Sequence, residues 1–242
     1  MKIALIGYGK MGKAIDELIQ KEYSSQHEVV LRINSANRNL LATDAYLIGV
    51  DVAIEFSVPA AAPQNILSCF KAGIPVVCGT TGWINLLEEV KQQCSHYKGA
   101  LVYASNFSVG VNLFFEVNRI LAQYMRSQSQ YLPSLEETHH VFKLDSPSGT
   151  AITLAEAIIA ESRALQKWVN HPSDKPDELP IISQRLEEVK GTHVVKYDSL
   201  VDSIEIKHTA HSRYGFAQGA VMAAEWIVGK KGVFTMRDVL NL

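Results

Sequence analysis

The sequence predicts an α/β protein: an N-terminal doubly wound parallel sheet followed by a C-terminal α+β domain. Three observations carry the expectation. Short, continuously apolar runs alternate with helical stretches over residues 2–104, the rhythm of a parallel sheet covered on both faces. A glycine cluster at residues 7–12 joins the first run directly to the first helical stretch. Beyond about residue 108 the alternation stops, and helices and strands follow in irregular order.

Residues 2–6 read as a buried strand and residues 11–23 as an amphipathic helix. Residues 29–33 and 50–56 are the next two strands. Residues 60–72 are helical, set off by Pro59 and Gly73. Residues 75–78 form a fourth strand, 83–97 a helix and 100–104 a fifth strand. In the second half, residues 111–126 are a long helix. Residues 135–141 are a strand leading into a polar loop, and 150–166 are another helix. Residues 169–179, with Pro172 and Pro176 and followed by Pro180, read as an exposed loop. Residues 194–197 and 203–208 have strand composition, and 216–228 are a last apolar helix. The rhythm divides the chain into residues 1–107, completed by 216–242, and residues 108–215.

Apolar residues make up 47% of the chain and charged residues 20%, enough to bury sizeable cores without disulfide staples. The net charge of −2, with no run of Lys and Arg, offers no basic stripe to nucleic acid. No apolar stretch approaches the ~18–20 residues of a membrane helix. The brief first run, cut off by Gly7 and Gly9, reads as a strand and not a signal peptide. Cys69, Cys78 and Cys94 fit no zinc or redox spacing and read as free thiols of a cytoplasmic protein. The sequence has no internal repeat or low-complexity tract.

Gly7-Tyr8-Gly9-Lys10-Met11-Gly12 is a Gly-x-Gly-x-x-Gly with a strand before it and a helix after it, the context that gives the pattern meaning. Gly7 allows the tight turn, Gly9 admits a pyrophosphate to the backbone, and Gly12 lets helix and strand pack closely. The helix start offers unpaired N–H groups to phosphate. The segment predicts a Rossmann-type domain for a nicotinamide dinucleotide. Asn34 stands where an acidic residue usually holds the ribose hydroxyls, ~20 residues further on. It does not repel a 2′-phosphate, and Arg32 or Arg38 could bind one. NADPH is therefore expected, with NADH also open.

The stretch from Glu137 to Ala151, Glu-Thr-His-His-Val-Phe-Lys-Leu-Asp-Ser-Pro-Ser-Gly-Thr-Ala, concentrates chemistry. The Ser-Pro-Ser-Gly-Thr turn puts the N–H groups of Gly149 and Thr150 at a helix start, which suits a carboxylate or phosphate. Lys143 adds positive charge, and His139 or His140 can exchange a proton near neutral pH. Acid–base and anion-binding groups on one chain with a dinucleotide fold imply reduction of an anionic substrate.

This stretch resembles the signature of the 4-hydroxy-tetrahydrodipicolinate (dihydrodipicolinate) reductase family, E-x-H-H-x-x-K-x-D-[AS]-P-S-G-T-A, at every fixed position. Further blocks agree. Lys10-Met11-Gly12 is similar to the family's glycine loop, Gly79-Thr80-Thr81-Gly82 to its G-T-T-G, and residues 104–110 to its second cofactor segment. Residues 204–213 and 216–220 resemble its closing motif. The resemblance implies an oxidoreductase of the diaminopimelate route to lysine, acting on a cyclic dicarboxylic imine precursor with NADPH or NADH. It makes His139 the catalytic acid/base and Lys143 the proton donor, with His140, Gly149 and Thr150 holding substrate. Cofactor contacts fall on Gly7, Tyr8, Gly9, Lys10, Met11, Gly12 and Asn34, on Gly79, Thr80 and Thr81, and on Ala104, Ser105, Asn106 and Phe107. It also implies a homotetramer, with residues 108–215 binding substrate and forming the oligomer.

His193, His208 and His211 match no metal-ligand spacing, so no metal is expected. Glycines at 110 and 215, where the chain passes between its two parts, suit hinges for closure over substrate. An amino-acid or sugar dehydrogenase on the same scaffold is the first alternative, but sugar enzymes have no need of the Ser-Gly-Thr carboxylate turn. A dinucleotide-sensing regulator is the second, and would lack the acid–base groups or add a DNA-reading element.

Overall fold

Strands buried on both faces need no polar alternation, and the first part of the chain folds accordingly. The computed structural model describes residues 1–42, 44–212 and 214–242. In chain order, β1 (Lys2–Ile6), α1 (Lys10–Leu18), β2 (Glu28–Ile33), β3 (Val52–Glu55) and α2 (Ala62–Lys71) come first. β4 (Val76–Cys78), α3 (Leu87–His96), β5 (Ala100–Tyr103), α4 (Val109–Met125), β6 (Leu132–His139) and α5 (Gly149–Glu161) follow. The remainder is β7 (Lys167–Val169), β8 (Glu178–Arg185), β9 (Thr192–Asp198), β10 (Ser203–Thr209), α6 (Tyr214–Ile227), β11 (Gly232–Phe234) and α7 (Met236–Leu240). Two compact units divide the chain: Met1–Val109 with Arg213–Leu242, and Gly110–Ser212.

The first unit is a six-stranded sheet in the order β11-β5-β4-β3-β1-β2, parallel throughout. Successive strand residues serve opposite faces. Ile3, Leu5, Val52, Ile54 and Val102 pack with Ile15 and Leu18 of α1 and with Ala220, Ala224 and Ile227 of α6. Ala4, Ile6, Ala53, Val76 and Leu101 pack with Ile66 and Phe70 of α2 and Val90 and Cys94 of α3. Each fully buried Ile or Leu stabilises the unit by roughly 1.5–3 kcal/mol relative to exposure. The strand order reverses between β1 and β3, and open α/β sheets bind ligands beyond the carboxyl ends of such strands. The three cysteines are free and buried. Burial pushes the Cys69 thiol up to about 12, which makes it unreactive.

The second unit is a mixed five-stranded sheet, β10-β9-β6-β8-β7. β9 is antiparallel to both its neighbours, while β6, β8 and β7 run parallel. Leu135, Leu179, Ile181, Val195 and Tyr197 of this sheet pack against Phe114 and Ala122 of α4 and Leu154, Ala155 and Ile158 of α5. The buried Asn118 amide of α4 donates to the Leu154 carbonyl of α5 at 3.1 Å, tying the two helices together.

Two sequence expectations change, and two further features are located. The helix expected over residues 150–166 ends at Glu161, because the next side chain, Ser162, turns back to accept from Ala164 and Leu165 N–H. The loop expected over residues 169–179 is bounded by two strands: β7 ends at Val169 and β8 begins at Glu178. Pro180, which signalled loop, sits near the start of β8 opposite Val169, a position proline tolerates. β11 completes the first sheet against β5, and its three residues are too short to show periodicity. Gly110 and Gly215, expected in hinges, lie in the first turns of α4 and α6, and Arg213 lies outside the described residues.

Candidate functional site

The β1–α1 turn is shaped by its glycines, for two different reasons. Gly7 has φ +94°, and a Cβ there would meet the Phe56 carbonyl oxygen at 2.1 Å. A Cβ on Gly12 would meet the Gly7 carbonyl oxygen at 2.3 Å. Gly9 has nothing within 4 Å of that position, so the protein's own packing does not require glycine there. The open space suits a group approaching the backbone. Gly9, at the N-cap of α1, has no side chain to cap the helix, and the N–H groups of the first turn, including those of Lys10, Met11 and Gly12, point into the loop without a capping side chain among the described residues. A cradle of this form fits the pyrophosphate of a dinucleotide.

Tyr8 donates its hydroxyl to Asp16, and Arg32 donates to both oxygens of the same carboxylate at 2.7 and 2.8 Å. Burial alone would raise the Asp16 pKa, but the bonds from Arg32 and Tyr8 outweigh it and hold the group below its usual range. Arg32 is thus the counter-ion of a buried carboxylate. Arg38, exposed and in no salt bridge among the described residues, is left as the candidate for a 2′-phosphate. Asn34 is exposed just past β2, where its side-chain oxygen accepts from Ala36 N–H at 2.8 Å.

The segments after β4 and β5 lie at the same carboxyl edge. A Cβ on Gly79 would meet the Phe56 ring at 2.1 Å. Thr80 turns inward: its hydroxyl donates to Glu55 at 2.6 Å and accepts from Ser57 N–H at 2.8 Å. Only its backbone and the exposed Thr81 can serve a ligand. Ser105 is exposed, and the Asn106 side-chain oxygen accepts from Ser108 N–H at 2.9 Å. Ala104 is half-buried, and its N–H donates to the Cys78 carbonyl at 3.3 Å. Phe107 is buried, its ring edge-on to Phe56 and its carbonyl against Gly219, where a Cβ would lie 1.7 Å away. Its side chain packs against Phe56. The fully buried Glu55, which also accepts from Ser57, Asn65 and Cys78, went unnoticed in the sequence because it sits inside an apolar strand.

In the second unit the signature segment runs from β6 through a loop into α5. Ser148 caps α5, its hydroxyl accepting from Ala151 N–H at 3.2 Å. Among the described residues nothing accepts from Gly149 or Thr150 N–H, and a Cβ on Gly149 would meet open space. The two amides are available to an anion. Lys143 lies in the loop, its ammonium 2.9 Å from Asp145. Burial works to raise the Asp145 pKa, but the Lys143 ammonium outweighs it and holds that carboxylate down. His140 is half-buried beside Phe142.

His139 ends β6 and is buried. Burial first, then the nearby His193, lowers its pKa to about 4, against the opposing pull of Glu137. The imidazole is therefore neutral at neutral pH and can accept a proton. Gly191 crowds it: a Cβ there would meet His139 Nε2 at 3.1 Å. Strand register assembles the rest. Glu137 is opposite His193 on β9 and Ser183 on β8, and His139 is opposite Arg185. Glu137, His139 and His193 thus offer three ligand atoms within 4.8 Å of one another. No sequence spacing reveals such a trio, because neighbouring strands supply it. Its carboxylate already accepts from Ser148 N–H and Ser183, and Arg185 and Lys143 lie close enough to oppose a cation on His139. The donor set fits a hydrogen-bond network better than a metal. Ser183, Arg185 and His193 were missed as site residues, since each takes its meaning from the strand beside it.

A parallel α/β sheet with a phosphate cradle, on one chain with an acid–base anion site, defines a dinucleotide-dependent oxidoreductase. Family models for the dihydrodipicolinate reductase N-terminus and C-terminus match residues 1–107 and 110–240. The 4-hydroxy-tetrahydrodipicolinate reductase of Christiangramia forsetii is 49% identical over 241 residues, covering 100% of this chain and 98% of its own. That of Methanoculleus marisnigri is 33% identical over the full length of both chains. The dipicolinate-bound dihydrodipicolinate reductase from Paenisporosarcina sp. TG-14 shares the fold, with TM-score 0.78, 20% identity and 97% of each chain covered. The chain belongs to the dihydrodipicolinate reductase family.

Proposed function

We propose that this protein reduces 4-hydroxy-tetrahydrodipicolinate to tetrahydrodipicolinate, with release of water and oxidation of NADPH or NADH, in the diaminopimelate route to lysine. When bound, the nicotinamide dinucleotide supplies the hydride. Its phosphates are held by the N–H groups at the start of α1 and the backbone around Gly7, Tyr8, Gly9, Lys10, Met11 and Gly12. Asn34, Gly79, Thr80, Thr81, Ala104, Ser105, Asn106 and Phe107 line the remaining contact, Thr80 and Phe107 through their backbones. Arg38 favours NADPH.

The observation that carries the substrate reading is the start of α5, where Gly149 and Thr150 N–H have no acceptor among the described residues, on the same segment as Lys143. That arrangement suits a dicarboxylate, and the relative from Paenisporosarcina was solved with dipicolinate bound. His140 adds a polar contact to the same ligand. Lys143 donates the proton that must accompany hydride addition. His139, neutral when buried, relays protons as base and acid. Residues 1–107 with 216–242 serve the dinucleotide and residues 108–215 the substrate.

We also infer a cytoplasmic homotetramer. Leu113, Val117, Ile120 and Tyr124 form an exposed apolar stripe on α4, and Leu200 and Val201 are exposed at the β9–β10 turn. No helix among the described residues is long and apolar enough to cross a membrane, and the thiols are unpaired.

The test is a coupled assay fed with the condensation product of pyruvate and aspartate semialdehyde, following loss of reduced cofactor. Wild-type protein should consume NADPH or NADH. Lys143→Ala and His139→Ala should each lose ~100-fold or more in kcat with dinucleotide affinity unchanged. No oxidation of either cofactor by wild-type protein sinks the assignment.

A further inference from the structure

Glu137 is a carboxylate at 1% exposure, and a buried charge is tolerated only where donors compensate it. Here the donors come from the start of α5 and from the neighbouring strands. Ser148 N–H reaches both oxygens at 3.1 Å, which fixes the residue that caps α5. Ser183 on β8 donates at 2.9 Å. Arg185, also on β8, places its guanidinium 3.4 Å away. Glu137 Oε2 faces His139 Nδ1 at 3.5 Å and His193 Nε2 at 3.7 Å. Burial works to raise the Glu137 pKa, but the nearby His193 and the bonds from Ser148 and Ser183 outweigh it and hold the group far below the usual carboxylate range, so it stays ionised.

Arg185 uses its remaining donors on the loop. Its Nη2 donates to the Asp145 carbonyl at 2.6 Å and its Nε to the Lys143 carbonyl at 3.3 Å. One guanidinium therefore pins the backbone at Lys143 and again two residues later, while its charge is fixed by Glu137. The Ser183 hydroxyl oxygen also lies 2.9 Å from the Asn170 amide, which donates to Ser146 at 2.9 Å.

We propose that Glu137 and Arg185 are positioning residues that tie the Lys143 loop and the start of α5 to one buried ion pair, so that proton donor and anion-binding amides keep one relative geometry. The inference rests on the functional reading above for the roles of Lys143, Gly149 and Thr150. It adds two residues that act through the backbone of Lys143 and through Ser148.

The test compares Arg185→Ala, Arg185→Lys and Glu137→Gln in the full-length protein, alone and combined with Lys143→Ala. Misplacing a proton donor by about 1 Å costs on the order of 100-fold, so Arg185→Ala should lose ~10–100-fold in kcat. Arg185→Lys should recover part of the loss, and Glu137→Gln, which keeps shape without charge, should lose less than Arg185→Ala. The NADPH dissociation constant should stay within about twofold of wild type, since a loop set free in the second unit leaves the α1 cradle intact. Because Arg185 acts through Lys143, adding Arg185→Ala to Lys143→Ala should cost nothing further in kcat. Independently of activity, backbone hydrogen exchange over residues 141–148 should quicken at least ~10-fold in Arg185→Ala, with α4 unchanged. Full kcat in Arg185→Ala, additive losses with Lys143→Ala, or unchanged exchange over the loop each overturns the proposal. An inactive wild type would refute the functional reading instead, and the exchange experiment would still decide whether the ion pair holds the loop.

Discussion

At the residue scale, the same amino acid does different work at neighbouring positions, and substitution separates the roles. Gly12 and Gly9 are both glycines of the nucleotide loop, yet a Cβ on Gly12 would collide with backbone while one on Gly9 would enter open space. Gly12→Ala should lower the thermal midpoint of the first unit by several degrees. Gly9→Ala should leave that midpoint nearly unchanged and weaken NADPH binding at least ~10-fold, as read by cofactor fluorescence. Equal thermal losses would mean that Gly9 is a packing residue. His139 makes a second prediction. Its folded pKa of about 4 lies below the ordinary histidine value of 6.5, so the unfolded chain takes up the proton first. Its contribution is intact above about pH 6.5 and falls away as pH drops towards 4, a loss of ~2 kcal/mol at pH 5. Urea unfolding at pH 7 and pH 5 should show a smaller drop for His139→Asn than for wild type, and equal drops would contradict the assignment. His139, Lys143 and Gly149 were legible in the sequence because they share one short segment. Arg185 and His193 were not, because their significance depends on which strands are neighbours.

At the scale of elements, legibility followed length and periodicity. β1 to β5 stood out because each is a short, largely apolar run bounded by turn residues. β7 and β11, at three residues each, are too short to carry a pattern, and β8 was masked by Pro180 and by the prolines ahead of it. Those misses matter, since β8 supplies Ser183 and Arg185 to the site. α5 was recognised, but its end was not, because Ser162 stops it through side-chain bonds to the following backbone. Its start is where function and stability meet. Ser148→Ala removes the bond to Ala151 N–H and should cost ~1 kcal/mol of stability in the second unit. The frayed first turn should also weaken dipicolinate binding several-fold in calorimetric titration, with NADPH affinity unchanged. Undiminished dipicolinate affinity would remove the start of α5 from the anion site.

At the scale of the whole molecule, the continuous apolar runs implied the first unit's layering, and both of its cores form as expected. The second unit's sheet order could not be read from composition, because irregular connections leave strand neighbours undetermined. The apolar stripe on α4 bears on assembly: light scattering at micromolar concentration should give four times the 26.8 kDa chain mass, and a monomer would contradict the tetramer. Two charged substitutions on the stripe, Val117→Glu with Ile120→Glu, should lower that mass if the stripe is part of the interface. The central claim is hydride transfer from a nicotinamide dinucleotide to a cyclic dicarboxylate, and isotope tracing tests it most directly. Supplied with the pyruvate–aspartate semialdehyde condensation product and reduced cofactor deuterated at C4, the protein should form tetrahydrodipicolinate with one deuterium on a ring carbon, matched by one equivalent of cofactor oxidised. Cofactor left reduced, or a product free of deuterium, would contradict it.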